Sequence, residues 1–163
     1  IYAEMRSRGR SLAFEDEEIE DLADMRYGNS LTFALLSQIF SFVDLRNHFH
    51  VDHIFPRARF TRAQLRDYCV LEDKIEEFIQ RRDGLANLQL LEGTQNLEKS
   101  SKMPAEWLFE TYPNPTDRTA HQGRHLLGEV TDSITEFDKF YEARRERLKT
   151  EIKQLLGRRE NPV

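Results

Sequence analysis

Two short stretches restrict the fold of this chain more than any other part of its sequence. The first is HVDHIFP, at residues 50–56, and the second is NLQLLEGTQNLEK, at residues 87–99. The first reads as a strand that leads into a proline, and the second as a short strand, a turn at Glu92-Gly93 and a helix. We therefore expect an α+β domain that is mostly helical, with a strand–strand–helix unit embedded in it.

The residue types in these stretches suit the hydrolysis of a phosphodiester. His53 suits a general base because the ordinary pKa of histidine is near neutrality. Asp52 offers a carboxylate to a hard cation such as Mg²⁺, and Asn96 offers a neutral oxygen that adds no negative charge. Asn87 would fix the tautomer of the imidazole by a hydrogen bond. Together the two stretches predict a one-metal phosphodiesterase centre.

The order and spacing of these motifs resemble the His-Asn-His (HNH, ββα-metal) nuclease fold. HVDHIFPRARF, ANLQLLEGTQNLEKSSKMP and FDKFYEARRERL are most similar to the C-terminal nuclease domain of GmrSD-type modification-dependent restriction enzymes and of SspE-like phosphorothioate-sensing nickases. The resemblance covers roughly residues 27–156. It implies a DNA endonuclease or nickase of bacterial anti-phage restriction that uses Mg²⁺ or Mn²⁺ and acts on phage or plasmid DNA.

Carried over by position, the resemblance assigns a role to each motif residue. It implies that His53 is the general base, that Asp52 and Asn96 are the metal ligands, that Asn87 supports the histidine and that Lys99 touches a phosphate. Many relatives have histidine where this chain has Asn96, a departure that favours magnesium over zinc or nickel. The interval between the two stretches is long for a bare ββα unit, so we expect a helical insertion there.

Four arginines are candidates for contacts with a nucleic-acid backbone. Arg57 and Arg59 directly follow the first stretch, and exposed loop arginines are an equally good interpretation of either one. Arg144 and Arg145 interrupt the apolar stripe of the last helix. They would either cross a groove toward the phosphates or lie along the edge of the core.

The histidines and the Asp-His pair also have structural interpretations. An isolated Asp-His pair is more often structural than catalytic, and the agreement of the separated motifs is what favours a nuclease centre. His50 shares a strand face with Asp52, so it is either an extra ligand or, as the better interpretation, a structural hydrogen-bonding group. His48, His121 and His125 have no partner spacing and are expected to be exposed or capping residues.

Charge is distributed unevenly along the chain, whose formal net charge is −5. Residues 14–24 contain seven acids and no base, residues 139–159 contain eight bases against three acids, and residues 46–70 contain five arginines against two aspartates. This pattern predicts that the acid lies away from the site and that a local basic footprint remains for nucleic acid. DNA mimicry by the acidic run is a weaker alternative to a solvated helix.

Composition indicates one core of ordinary size in 163 residues, 39% of them hydrophobic. The chain has no apolar run of membrane-spanning length, no visible secretory signal and a single cysteine, so we expect a cytoplasmic protein with no membrane partner. Residues 1–26 read as a helical lead-in from a missing upstream domain, 27–157 as the nuclease domain and 158–163 as a tail. The resemblance implies that the upstream domain is a nucleotide-hydrolysing sensor.

Caps and apolar spacing predict the other elements. These are an acidic helix at 14–27, an apolar helix from Ser30 or Thr32 to residue 42, helices at 62–67 and 71–82, a helix at 104–112, a loop at 114–117, a short helix at 118–130, and a long helix from a capping box at Ser133 to Leu156. Thr61 and Thr94 are predicted N-caps. Two other functions remain open, namely an inactive binding or interaction module and an RNA-cleaving HNH toxin.

Overall fold

A computed structural model describes residues 16–44 and 46–160. These residues form eight α-helices and one two-stranded antiparallel sheet, which confirms a mostly helical α+β domain. The elements are α1 (Asp16–Ala23), α2 (Ser30–Ile39), β1 (Phe49–His53), α3 (Arg62–Asp67), α4 (Ile75–Arg81), β2 (Leu88–Glu92), α5 (Gly93–Lys99), α6 (Pro104–Thr111), α7 (Pro115–Arg124) and α8 (Phe137–Glu160). Short 3-10 turns lie at Arg57–Arg59, Glu72–Lys74, Leu85–Asn87 and Ile134–Glu136.

The sheet and α5 form one continuous strand–strand–helix unit. In the antiparallel register Asp52 lies opposite Gln89, and His53 lies opposite Leu88. Helix α5 begins at the residue after β2 and packs against both strands. The interval between the strands contains α3 and α4, so the expected helical insertion is confirmed. This arrangement brings the two sequence stretches together at one end of the sheet.

Side-chain caps explain where several helices begin. Thr61 accepts a hydrogen bond from the backbone N–H of Gln64 at 3.3 Å, which confirms it as the N-cap of α3. Helix α2 begins at Ser30, as predicted, and is capped by Asn29, whose Oδ1 accepts from the N–H of Leu31 at 2.9 Å. The predicted Thr94 cap is wrong, because α5 begins directly after β2 and already contains Thr94.

The last two helices differ from their predicted bounds. Asn114 caps α7 by accepting from the N–H of Thr116 at 2.9 Å, so the helix begins within the predicted loop and ends at Arg124. The hydroxyl of Ser133 contacts that of Thr135 at 2.8 Å and makes no cap, so a 3-10 turn precedes α8. Helix α8 continues to Glu160, beyond its predicted end. Predicted segments at 1–15 and 161–163 lie outside the described residues.

Helix α8 supplies one wall of the main core. The ring of Phe137 lies 4.7 Å from that of Phe60 and 5.3 Å from that of Phe55, measured between centroids. Both partners lie in the chain that leaves β1, so α8 packs against the segment that follows the strand carrying Asp52 and His53. Among the described residues no helix is long and apolar enough to cross a membrane.

Candidate functional site

The carboxylate of Asp52 lies at the centre of a buried polar group. Its Oδ2 accepts from Nε2 of Gln89 and from Nζ of Lys99, both at 3.0 Å. The Asp52 side chain retains 12% of its exposure. Its other oxygen, Oδ1, has no hydrogen-bond partner among residues 16–44 and 46–160. One carboxylate oxygen is therefore fixed by the protein, and the other can serve a ligand.

Lys99 is buried and serves this carboxylate. Its side chain has no exposed surface, and its ammonium group also donates to the backbone carbonyl of His53 at 2.6 Å. Burial lowers the pKa of Lys99, against the attraction of Asp52, which raises it. The prediction that Lys99 touches a phosphate is therefore wrong for this fold, because its charge faces inward and neutralises Asp52.

His53 is held at the end of β1 by a second carboxylate. Its Nε2 lies 2.9 Å from Oδ1 of Asp83, and its ring centroid lies 4.7 Å from that of Tyr27. The imidazole retains 12% of its exposure. Burial lowers the pKa of His53, and the hydrogen bond to Asp83 offsets only part of that shift. The imidazole is therefore neutral at pH 7 and able to accept a proton.

Asp83 is itself fixed by two arginines. Its Oδ2 accepts from Nε of Arg82 at 3.2 Å, and its Oδ1 lies 3.5 Å from Nε of Arg57. Burial alone would raise the pKa of Asp83, but the hydrogen bonds from His53 and Arg82 lower it. The carboxylate facing His53 is therefore ionised at neutral pH.

Asn87 supports the site through the backbone. Its Oδ1 accepts from the N–H of Phe55 at 2.9 Å, and its Nδ2 donates to the carbonyls of Phe55 and Arg82 at 3.1 and 2.8 Å. The predicted contact with the imidazole is therefore wrong, since the partner of His53 is Asp83. Asn87 instead fixes the chain that leaves β1 to the chain that enters β2.

The donor groups available to a cation are oxygens. Asn96 is half-buried in α5, and its amide has no hydrogen-bond partner within the described part of the chain. Oε1 of Gln89 is buried beside Asp52 and also lacks a partner there. The described residues contain no group of three or more His, Cys, Asp or Glu side chains that could hold a metal. One carboxylate and neutral amide oxygens fit a hard cation that keeps several waters.

Two of the remaining site candidates, Arg57 and His50, are exposed. Arg57 is 55% exposed next to Asp83, where its guanidinium is accessible to a phosphate. His50 is exposed and lies over the start of α5, where a Cβ on Gly93 would be 3.5 Å from its Nε2. Arg59 is half-buried, with Nη1 3.4 Å from the hydroxyl of Tyr68.

The arginines of α8 have structural roles. Arg144 is fully buried, and its guanidinium donates to the carbonyls of Ala86, Leu88 and His125 at 2.9, 2.7 and 3.1 Å. Burial lowers the pKa of Arg144 to about 9. Its predicted contact with nucleic acid is therefore wrong, because no part of the guanidinium reaches the surface.

Arg145 is also unavailable to a phosphate. It lies in ion pairs with Glu20 at 2.7 Å and Asp24 at 2.6 Å. Burial alone would lower the pKa of Arg145, but its hydrogen bonds to Asp24 and Glu20 raise it. Lys149 pairs with Glu20 as well, and Lys153 lies 2.9 Å from Asp16. The acidic run thus packs against α8, and it neutralises three basic residues of 139–159 that were predicted to belong to a basic footprint.

Three residues of the site were missed by sequence reasoning. Gln89 could have been found, because the alternation of β2 and an antiparallel register place it opposite Asp52. Asp83 follows two arginines and precedes a glycine, a pattern that indicates only a turn. Tyr27 reaches His53 because its N–H donates to the carbonyl of Asp83 at 2.7 Å, a tertiary contact with no local signal.

No family model matches this chain. Among curated proteins no significant match is found either. Function must therefore be inferred from the geometry of the site and from the sequence motifs.

Proposed function

We propose that this domain is a metal-dependent endonuclease or nickase that hydrolyses phosphodiester bonds of DNA. The observation that carries the proposal is the imidazole of His53, which is oriented by the Asp83 carboxylate and follows Asp52, whose Oδ1 has no hydrogen-bond partner among the described residues. A general base and a carboxylate that can bind a metal are the two groups that hydrolysis of a phosphodiester needs. The strand–strand–helix unit that holds them agrees in order with a ββα-metal core.

The protein groups have separate tasks in this reaction. His53 accepts the proton of the attacking water, and Arg57 holds a phosphate near it. Asp52 and Asn96 would hold Mg²⁺ or Mn²⁺, which supplies positive charge to the phosphate and the leaving oxygen when bound. Lys99 keeps the Asp52 carboxylate in place, and Asn87 keeps the backbone around His53 in place.

The choice of DNA as substrate rests on the resemblance of the motifs. The same resemblance supports a role in bacterial restriction of phage or plasmid DNA, with an upstream nucleotide-hydrolysing sensor in the full-length protein. Single exposed arginines such as Arg57 contact phosphates without reading bases, so recognition of a modification or sequence would belong to that sensor.

Plasmid cleavage tests the proposal. We expect the 163-residue chain with Mg²⁺ to convert supercoiled plasmid to nicked or linear product, and His53→Ala to lower the rate by about 10²–10⁴-fold, the usual contribution of a general base. The matched control is His48→Ala, which removes an exposed histidine. Asn96→Ala should raise the Mg²⁺ concentration needed for half-maximal rate, because it removes an oxygen that has no partner within the described chain.

The other outcomes identify the competing functions. Intact plasmid with retained DNA binding by the wild type would contradict the nuclease and favour a binding module. Faster cleavage of RNA than of DNA under matched conditions would favour the toxin. Equal rates for wild type and His53→Ala would exclude His53 as the base.

A further inference from the structure

The contact between His53 and Asp83 decides which imidazole nitrogen can act as the base. A neutral imidazole carries its proton on one nitrogen and a lone pair on the other. An ionised carboxylate can only accept hydrogen bonds, so the Nε2 atom that lies 2.9 Å from Oδ1 of Asp83 must carry the proton. The lone pair then lies on Nδ1.

Building on the proposed nuclease function, we propose that Asp83 is a positioning residue that fixes His53 as the Nε2–H tautomer and thereby makes Nδ1 the atom that accepts the proton of water. Asp83 acts through His53 and does not itself contact the substrate. This role belongs to a residue that lies 30 positions away from His53 in sequence.

The surroundings of Asp83 hold its carboxylate in one orientation. Its side chain is only 15% exposed, and Oδ2 is taken by Nε of Arg82 at 3.2 Å. The backbone carbonyl of Asp83 accepts from the N–H of Tyr27 at 2.7 Å. Contacts to both the side chain and the backbone of Asp83 therefore hold Oδ1 in its position facing His53.

The imidazole is restrained on further sides. The ring of Tyr27 packs on it at 4.7 Å and an interplanar angle of 47°. The backbone carbonyl of His53 accepts from Lys99 at 2.6 Å, and β1 is paired with β2 at His53 itself. Because the ring and its backbone are both held, a change at Asp83 should alter the position of the proton before it alters the position of the ring.

Asp83→Asn is the substitution that can change the tautomer of His53, because Arg82 donates a hydrogen bond to residue 83 and so decides which way the new amide faces. Its guanidinium would hold the amide oxygen of the new residue at the position of Oδ2, which leaves the amide NH₂ facing His53. Nε2 would then have to accept, and the imidazole would become the Nδ1–H tautomer, with no lone pair on Nδ1. In this orientation the NH₂ group would face Nε of Arg57, but that contact is long, at 3.5 Å from the position of Oδ1, and opposes the orientation only weakly.

NMR of the imidazole nitrogens identifies the tautomer and does not require the protein to cleave DNA. We expect long-range ¹⁵N–¹H spectra at about pH 8, where a histidine is neutral, to show His53 of the wild type protonated on Nε2. In Asp83→Asn we expect the proton on Nδ1. His53→Gln assigns the signal among the five histidines. A wild-type His53 protonated on Nδ1, or on both nitrogens, would overturn the inference even if no variant folds.

Plasmid nicking provides the second measurement. In Asp83→Asn we expect kcat to fall by at least about 10-fold, the lower end for loss of a supporting contact of this kind, while KM stays within about 3-fold. The matched control is Asp138→Asn, which removes a carboxylate of α8 that pairs with Arg81 of α4, and it should leave kcat unchanged. Wild-type kcat together with an unchanged tautomer in Asp83→Asn would overturn the inference.

The two measurements separate this inference from the proposed function. The expected tautomers without cleavage by the wild type would contradict the nuclease and leave the positioning contact standing. Cleavage that is lost in His53→Ala but unchanged in Asp83→Asn would support the nuclease and contradict the positioning role of Asp83.

Discussion

At the scale of single residues, Lys99 shows how the site neutralises the Asp52 carboxylate. The ammonium is fully buried and pairs with Asp52, so the pair is neutral as a unit. A cation bound by Asp52 and Asn96 would therefore meet little net negative charge from the protein. We infer that its binding depends strongly on a phosphate that arrives with the substrate.

Lys99→Met tests the structural part of this pair. The substitution leaves Asp52 partly buried with only Gln89 as its partner, so we expect the free energy of unfolding to fall by about 3 kcal/mol, the low end for a broken buried pair because Asp52 keeps some exposure. Denaturant unfolding measures the loss. The matched control is Lys102→Met, which breaks an exposed pair with Glu110 and should cost at most about 1 kcal/mol.

A double-mutant cycle isolates the pair itself. The double variant Asp52→Asn/Lys99→Met should lose at least about 1 kcal/mol less free energy of unfolding than the sum of the two single variants. The reason is that each single substitution removes the same interaction. Additive losses would mean that Lys99 stabilises the fold through its packing alone.

At the scale of elements, Arg144 connects α8 to the chain that enters the site. Its guanidinium binds carbonyls in the 3-10 turn Leu85–Asn87 and in β2, and it also binds the end of α7 through His125. Burial and the positive charge of Arg147 lower the pKa of Arg144 to about 9, and Tyr141 opposes that shift. Backbone carbonyls accept the hydrogen bonds of the buried guanidinium.

Arg144→Met and Arg145→Met should therefore differ sharply although the two residues are neighbours. We expect Arg144→Met to lower the free energy of unfolding by about 3 kcal/mol, because several buried carbonyls lose their donor. Arg145→Met removes ion pairs near the surface and should cost about 1 kcal/mol. Denaturant unfolding of both variants measures the difference, and equal losses would mean that the hydrogen bonds of Arg144 to the buried carbonyls add no stability beyond that of a surface ion pair.

The sequence predicts elements better than it predicts contacts between them. The strands and α3 could be placed, because alternation and the Thr61 cap are local signals. Arg144 is visible in the sequence as a charge within an apolar stripe, but nothing local shows that carbonyls lie opposite it. Asp83 could not be assigned to His53, because the turn that carries it approaches β1 only through tertiary packing.

At the scale of the whole molecule, the buried histidines make the fold sensitive to acid. The rings of His121 and His125 stack at 4.0 Å, and the ring of Phe42 lies 4.6 Å from that of His125. Burial, together with the positive charge of Arg124, lowers the pKa of His121 to about 4 and that of His125 to about 2. Both histidines were expected to be exposed or capping: the burial of His121 within α7 corrects that prediction, whereas His125 is buried but does occupy the C-cap position of α7.

The sign of the pH dependence follows from these shifts. The unfolded chain protonates each histidine near pH 6.5, whereas the folded chain does so only near pH 4 or 2. Acid therefore favours the unfolded state: stability is full above about pH 6.5 and declines as the pH falls toward the folded pKa values. Between pH 7 and 5 each histidine should remove about 1.5–2 kcal/mol from the free energy of unfolding.

Denaturant unfolding between pH 7 and 5 measures this loss. We expect His121→Gln and His125→Gln each to lower the slope of the free energy of unfolding against pH by about one proton. Burial also lowers the pKa of His53, so a slope from that residue should persist in both variants and vanish in His53→Gln. A wild type with equal stability at pH 7 and 5 would mean that the histidine cluster opens to solvent before the chain unfolds.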